Sequence, residues 1–305
     1  MTSVAIIFNQ VMVMFFLMAI GFVAHKRGFL GKQTIQEISD LVIYLVTPAL
    51  IMRSLQMEFT PDTLTNVYVM GVLALLTTIL MMAVSRLVSP QSHLSQYAMI
   101  FGNTGFIGIP IVDSLYGAQS VVYMAVFIAV VNVLVWTYGI SLIAGRESQL
   151  SFTKLLTNPN NLAIVAGVLL HVMSFSLPRF IDQSIALVAN LNLPLVMIVL
   201  GTYLAEAQLS RFLRSWEFYK VCFFRLLFIP ITVIILLRLL PMTIDHLVAM
   251  TLVVAHATPG AVLLVVFAKK FQKDYHFSLA MISLTTLMSM LTIPLIIALA
   301  MLVIP

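Results

Sequence analysis

Charge is scarce in this chain. Asp, Glu, Lys and Arg make up only 9% of its 305 residues, against about a quarter in a soluble domain, so a water-facing globular surface is excluded. A single cysteine, Cys222, excludes an internal disulfide and a cysteine-based metal cluster. Its expected place is inside a helix, as a small apolar residue. Polar stretches are short, the longest running over 145–161, which leaves no room for a soluble domain beside the apolar part. No basic segment precedes the first apolar run, so a cleavable signal is not expected. Enzyme patterns are missing too: there is no H-E-x-x-H and no G-x-S-x-G, and the Gly105–Gly108 run has no lysine. Catalysis and ATP-driven transport are not expected, and neither is a cofactor or metal.

What the chain has is apolar length, with 61% hydrophobic residues and a mean hydropathy of +1.09. A membrane helix needs about 20 such residues, and ten candidate spans follow: Val4–Ala24, Ile35–Leu55, Thr65–Leu87, Leu94–Leu115, Val121–Ala144, Leu162–Leu177, Ile185–Ala205, Phe218–Leu240, Leu247–Ala268 and Phe277–Ile304. The cations alternate with the spans. Lys26, Arg27, Lys32, Arg86, Arg146, Lys154, Arg211, Arg214, Lys220, Lys269, Lys270 and Lys273 fall on one side; Arg53, Arg179 and Arg238 fall on the other. The positive-inside rule predicts a cell-membrane protein with both termini outside. The net charge of +5 then belongs to loops and does not point to nucleic acid.

Two spans carry residues that a membrane helix should avoid. Asn103-Thr104-Gly105-Phe106-Ile107-Gly108-Ile109-Pro110 lies in the fourth and Ala255-His256-Ala257-Thr258-Pro259-Gly260 in the ninth. Pro removes a donor and Gly relaxes the backbone. Freed backbone groups are tolerated in a bilayer only where protein or cavity water satisfies them. Breaks at Gly108, Pro110, Pro259 and Gly260 are therefore expected to build a polar site, the pattern of a secondary transporter. A repeat supports the pairing: Gly21 and Pro48 stand 27 residues apart, as do Gly167 and Pro194, while Pro48 to Pro110 is 62 residues and Pro194 to Pro259 is 65. An odd number of spans per copy predicts that the second copy is inverted, giving repeats at 1–145 and 162–305 joined by a cytoplasmic loop at 146–161.

Asn103-Thr104-x-x-x-Gly108-Ile109-Pro110 followed by Tyr116-Gly117 closely resembles the fourth-helix motif of the auxin efflux carrier family, which includes the plant PIN carriers and bacterial malate-permease-like proteins. Asn158-Pro159-Asn160 and Thr258-Pro259-Gly260 with Phe267-Ala268-Lys269 resemble further family motifs. The resemblance implies an all-α membrane protein of ten helices in two inverted five-helix repeats, with crossover helices 4 and 9 broken as in bile-acid symporters and antiporters. It implies transport of small organic anions near that crossing, and contact between the motif asparagine, here Asn103, and the substrate.

Among the residues themselves, Asn103 can donate to a carboxylate without the cost of a buried charge. Thr104 and Gly105 would line or widen the same site, and Thr258 the other break. His256 is a candidate proton acceptor or substrate donor. Asp113 and Asn132 are candidates for ion or proton coupling. Arg225 could attract an anion or pair with an acid such as Glu206 or Glu217, but is expected to snorkel to the cytoplasmic face, and Asn192 is expected to hydrogen-bond between helices. The expected partners are a small organic anion and the lipid bilayer, with a homodimer left open and nucleic acid excluded. Two rivals remain at this stage: a sodium- or proton-coupled carrier of the bile-acid symporter type, and a membrane sensor or interaction protein that does not transport.

Overall fold

A computed structural model describes residues 3–56, 60–145, 159–173, 177–207, 212, 214–240 and 244–304. The expected cytoplasmic loop carrying Arg146 and Lys154, Asn158 of the Asn-Pro-Asn motif, and the second repeat's cation Arg211 lie outside the described residues. The described chain is helical, with no strand. Its helices are α1 (Ser3–Lys26), α2 (Lys32–Ser54), α3 (Pro61–Val88), α4 (His93–Ile100), α5 (Thr104–Tyr116), α6 (Ala118–Ala144), α7 (Pro159–Val172), α8 (Arg179–Glu206, interrupted at Leu191), α9 (Trp216–Leu239), α10 (His246–Ala257), α11 (Leu263–Lys270) and α12 (Tyr275–Val303). Seven of these stretches are long and apolar enough to cross a membrane: α2, α3, α6, α8, α9, α12 and the Asn9–Lys26 part of α1.

Local chemistry sets where several helices begin. Thr60 accepts from Thr63 N–H ahead of Pro61, Ser92 from Ser95 N–H, Asp245 from Leu247 and Val248 N–H, and Asp274 from Phe277 N–H. Each side chain satisfies amides that the first turn would leave unpaired. Interior prolines are absorbed differently. Pro48, Pro110 and Pro230 each follow a wide π-helical turn, at Val42–Val46, Thr104–Gly108 and Phe224–Phe228. The wider turn takes up the register lost where proline has no N–H and would crowd the preceding carbonyl.

Large apolar side chains lie on the outside, among them Phe16, Tyr68, Leu76 and Leu291. In a multi-pass membrane protein that surface faces lipid. The interior is centred on α10, whose residues Val248 to Ala257 are all buried. Close helix contacts depend on missing side chains. A Cβ at Gly21 of α1 would strike the Ile198 carbonyl of α8, one at Gly201 of α8 would strike the Met18 carbonyl of α1, and one at Gly167 of α7 would press on Leu55 at the end of α2. The expected bridging role of Asn192 is observed, since Thr47 Oγ1 donates to Asn192 Oδ1 at 2.9 Å and ties α2 to α8.

Candidate substrate site at the helix crossing

The two interrupted spans meet at their interruptions. Beyond Ile100 the chain is extended at Phe101, and Asn103 also leaves helical geometry. Opposite, Thr258 is extended because it precedes Pro259, whose ring bars the helical conformation for the residue before it. The two segments pair antiparallel at Gly102 and Gly260. Asn103 N–H donates to Pro259 O at 2.8 Å and Ala261 N–H donates to Phe101 O at 2.9 Å, while Gly260 N–H donates to Thr285 Oγ1 at 3.3 Å. Each break thus satisfies backbone groups freed by the other, as low-dielectric surroundings require.

This placement corrects the expectation for the first break. Gly108 and Pro110 do not interrupt the span. They lie within α5, where the π-helical turn accommodates the proline, and the interruption falls upstream at 101–103. Pro259 and Gly260 do lie in the second break.

Arg225 is the second correction. It does not snorkel to a polar face: it is 1% exposed, and its guanidinium reaches into the crossing. Nε donates to Thr258 O at 2.7 Å, Nη1 to Met99 O and Ile100 O at 3.1 Å each, and Nη2 to Ala255 O at 3.5 Å and Thr258 Oγ1 at 3.1 Å. These acceptors belong to the C-terminal ends of α4 and α10 and to the residue after α10, where carbonyls lack helical partners. Gly102 makes room for the group, because a Cβ there would collide with the guanidinium and with Thr258 Oγ1. Neither position was expected at the crossing: Arg225 lies about two turns into its predicted span, near enough to the cytoplasmic end to look interfacial, and Gly102 precedes the more conspicuous motif.

The other candidates separate. Asn103 is buried and its Nδ2 has no hydrogen-bond partner. Thr104 is buried beside it, and Gly105 has open space where a side chain would be. Thr258 is committed within the protein, donating to Ala255 O and accepting from Arg225. His256, fully buried, shares a 2.9 Å hydrogen bond through Nε2 with Thr77 of α3 and lies edge-on to Phe127 of α6 at 5.3 Å. Its Nδ1 has no partner. Asn132 is half-buried on α6 with its amide nitrogen unpaired. Asp113 is exposed and lines a cavity of about 470 Å³ with Arg53, Ser54, Pro110, Ser114, Asn190 and Asn192. The acids considered as partners for Arg225 are engaged elsewhere, Glu206 facing His25 at 3.8 Å and Glu217 pairing with Lys220 at 2.6 Å. Cys222 is buried and free, as a packing residue should be. Among the described residues, no group of three or more His, Cys, Asp or Glu could hold a metal ion.

A helical, lipid-facing bundle built around two interrupted spans defines a multi-pass membrane transport protein, and the comparison with known families agrees. The membrane transport protein family matches residues 6–297, so the chain belongs to it; this is the auxin efflux carrier, PIN-like family. A relative from Methanocaldococcus jannaschii, the uncharacterized transporter MJ1031, is 23% identical over 308 residues, covering 94% of this chain and 96% of its own.

Proposed function

We propose that this transporter is a secondary carrier that moves a small organic anion by alternating access, with the substrate bound beside Asn103. The observation that carries this reading is the free Asn103 amide: a buried donor without a partner, next to the N-terminal end of α5. A buried unpaired donor costs about 1–3 kcal/mol, a cost that a bound carboxylate would remove. Helix N-termini favour anions as well, and α5 and α11 both start at the crossing. The cavity between α2, α5 and α8 begins about two turns along α5 from Asn103 and adds Arg53, Asn190 and Asn192 as donors.

In this reading α4 with α5, and α10 with α11, each form one membrane crossing, giving ten in total with the termini outside the cell membrane. Helix packing supports two inverted repeats: α1 leans on α8 through Gly21 and Gly201, and α7 leans on α2 through Gly167 and Leu55. The first span of each copy thus packs against the second span of the other.

A thermal-shift screen of purified protein against small carboxylates tests the proposal. A ligand that binds only the folded state raises its apparent stability, and wild type should respond while Asn103→Ala should not. A hit that stabilises both proteins equally would place the anion elsewhere. Uptake of that carboxylate into proteoliposomes then separates a carrier from a sensor.

A further inference from the structure

We propose that the C-terminal ends of α4 and α10 form a monovalent-cation site and that the Arg225 guanidinium is its permanent occupant. The site holds five oxygens from the two crossing segments: the carbonyls of Met99, Ile100, Ala255 and Thr258, and the Thr258 hydroxyl. All accept from one guanidinium, whose five N–H groups match that number. Carbonyl and hydroxyl oxygens at unwound membrane helices are also the ligands that proteins offer to alkali cations.

Charge balance supports the assignment. Each helix C-terminus carries the equivalent of about half a negative charge, so two converging ends amount to about one, matching a single arginine. Among the described residues, the Lys220–Glu217 ion pair and the His25–Glu206 contact do not involve Arg225. Its compensation comes from these dipoles and carbonyls. Burying an arginine for packing alone would be wasteful, because desolvation of a charge costs several kcal/mol unless its surroundings return it. The backbone also makes way for the group, since a Cβ at Gly102 would collide with the guanidinium. The side chain comes from α9, a third element, so the charge is delivered to the crossing from outside the two broken spans.

Arg225 occupies the crossing whatever solute the carrier moves. An intact Arg225 should make the crossing indifferent to external cations, and its removal should open a site for them. The experiment measures thermal unfolding of the purified full chain in sodium, potassium or choline chloride at equal ionic strength. Low-millimolar guanidinium is then added, with urea as its uncharged equivalent in shape. Wild type should show the same midpoint in all of them. Arg225→Ala should lose about 10 °C, and guanidinium should restore much of the loss with saturation while urea does not. Arg225→Lys, which keeps a charge, should retain the cation indifference of wild type at a lower midpoint. A wild-type midpoint that rises saturably with sodium or potassium over choline would overturn the proposal. So would an Arg225→Ala protein insensitive to every cation. If that variant is recovered monodisperse only when guanidinium is present throughout expression and extraction, the site is supported. Failure with and without guanidinium assigns Arg225 to folding alone and overturns it.

Discussion

At the crossing, two short helices end and two begin within a few residues of one another, and the two sets of ends are treated in opposite ways. The C-terminal ends of α4 and α10 are filled, their carbonyls taken by Arg225. The N-terminal side, at Asn103 and the first turn of α5, holds an unpaired amide and open space at Gly105. Both ends pose the same physical problem, unpaired backbone groups with a net dipole in a dry interior. The protein solves the negative end with its own side chain. On the proposed function it leaves the positive end for a solute. A carrier gains from that asymmetry, because a rigid half can hold the geometry while the other half exchanges its occupant.

Glycine substitutions should break the comparison most sharply. Gly102→Ala places a methyl group against the guanidinium and the Thr258 hydroxyl. Disrupting a buried charged network costs about 3–5 kcal/mol, so folded yield and thermal midpoint should drop steeply. Gly105→Ala, three residues away and facing open space, should stay within about 1 kcal/mol of wild type. Equal losses at the two positions would mean that the filled and open ends are not physically different.

Asn103 sharpens the comparison from the open end. Asn103→Ala removes a buried donor that has no partner, so stability should hold or rise slightly. Affinity for an anion should nevertheless fall about ten- to a hundredfold, the value of one hydrogen bond to a charged group. Asn103→Asp should bind an anion worse still through repulsion. Isothermal binding on monodisperse protein separates the two effects; a stability loss without an affinity loss would make Asn103 structural.

A smaller effect is expected beside the crossing. Thr77→Val removes the partner of His256 Nε2 and should lower stability by about 1 kcal/mol. Binding at Asn103 should be little changed, since that hydrogen bond joins α10 to α3 and not to the open end. A large binding defect in this variant would extend the open end to His256.

The smallest effect belongs to the cavity rim. Arg53 is exposed, and rim charges act mainly on association rate and its salt dependence. Arg53→Gln should slow anion association at low salt and converge with wild type at high salt, when screening removes the difference. Stopped-flow binding at two ionic strengths checks this.

Much of this was legible in the sequence. Among the described residues the predicted spans overlap helix, two of them with an interruption, because apolar length is a one-dimensional property and a bilayer admits little else. Pro259 announced its break, since proline and its neighbour act locally. Asn103 stood out as a polar group among apolar neighbours. Pro110 misled, because a π-helical turn can absorb a proline and no residue pattern reports that turn unaided. The first interruption, at 101–103, is stabilised by hydrogen bonds from 259 and 261, residues too distant in sequence to be paired by inspection.

The sequence by itself determined that this is a helical membrane protein with two unusual spans, because hydropathy, cation placement and proline act over a turn or two of chain. Only the tertiary structure decided what those spans do to each other. Arg225 is 33 residues from Thr258 and 126 from Met99, and its place is set by the meeting of three elements. Whether an arginine near a helix end reaches water or fills a ring of carbonyls depends on what packs against it, and that is a property of the assembled bundle.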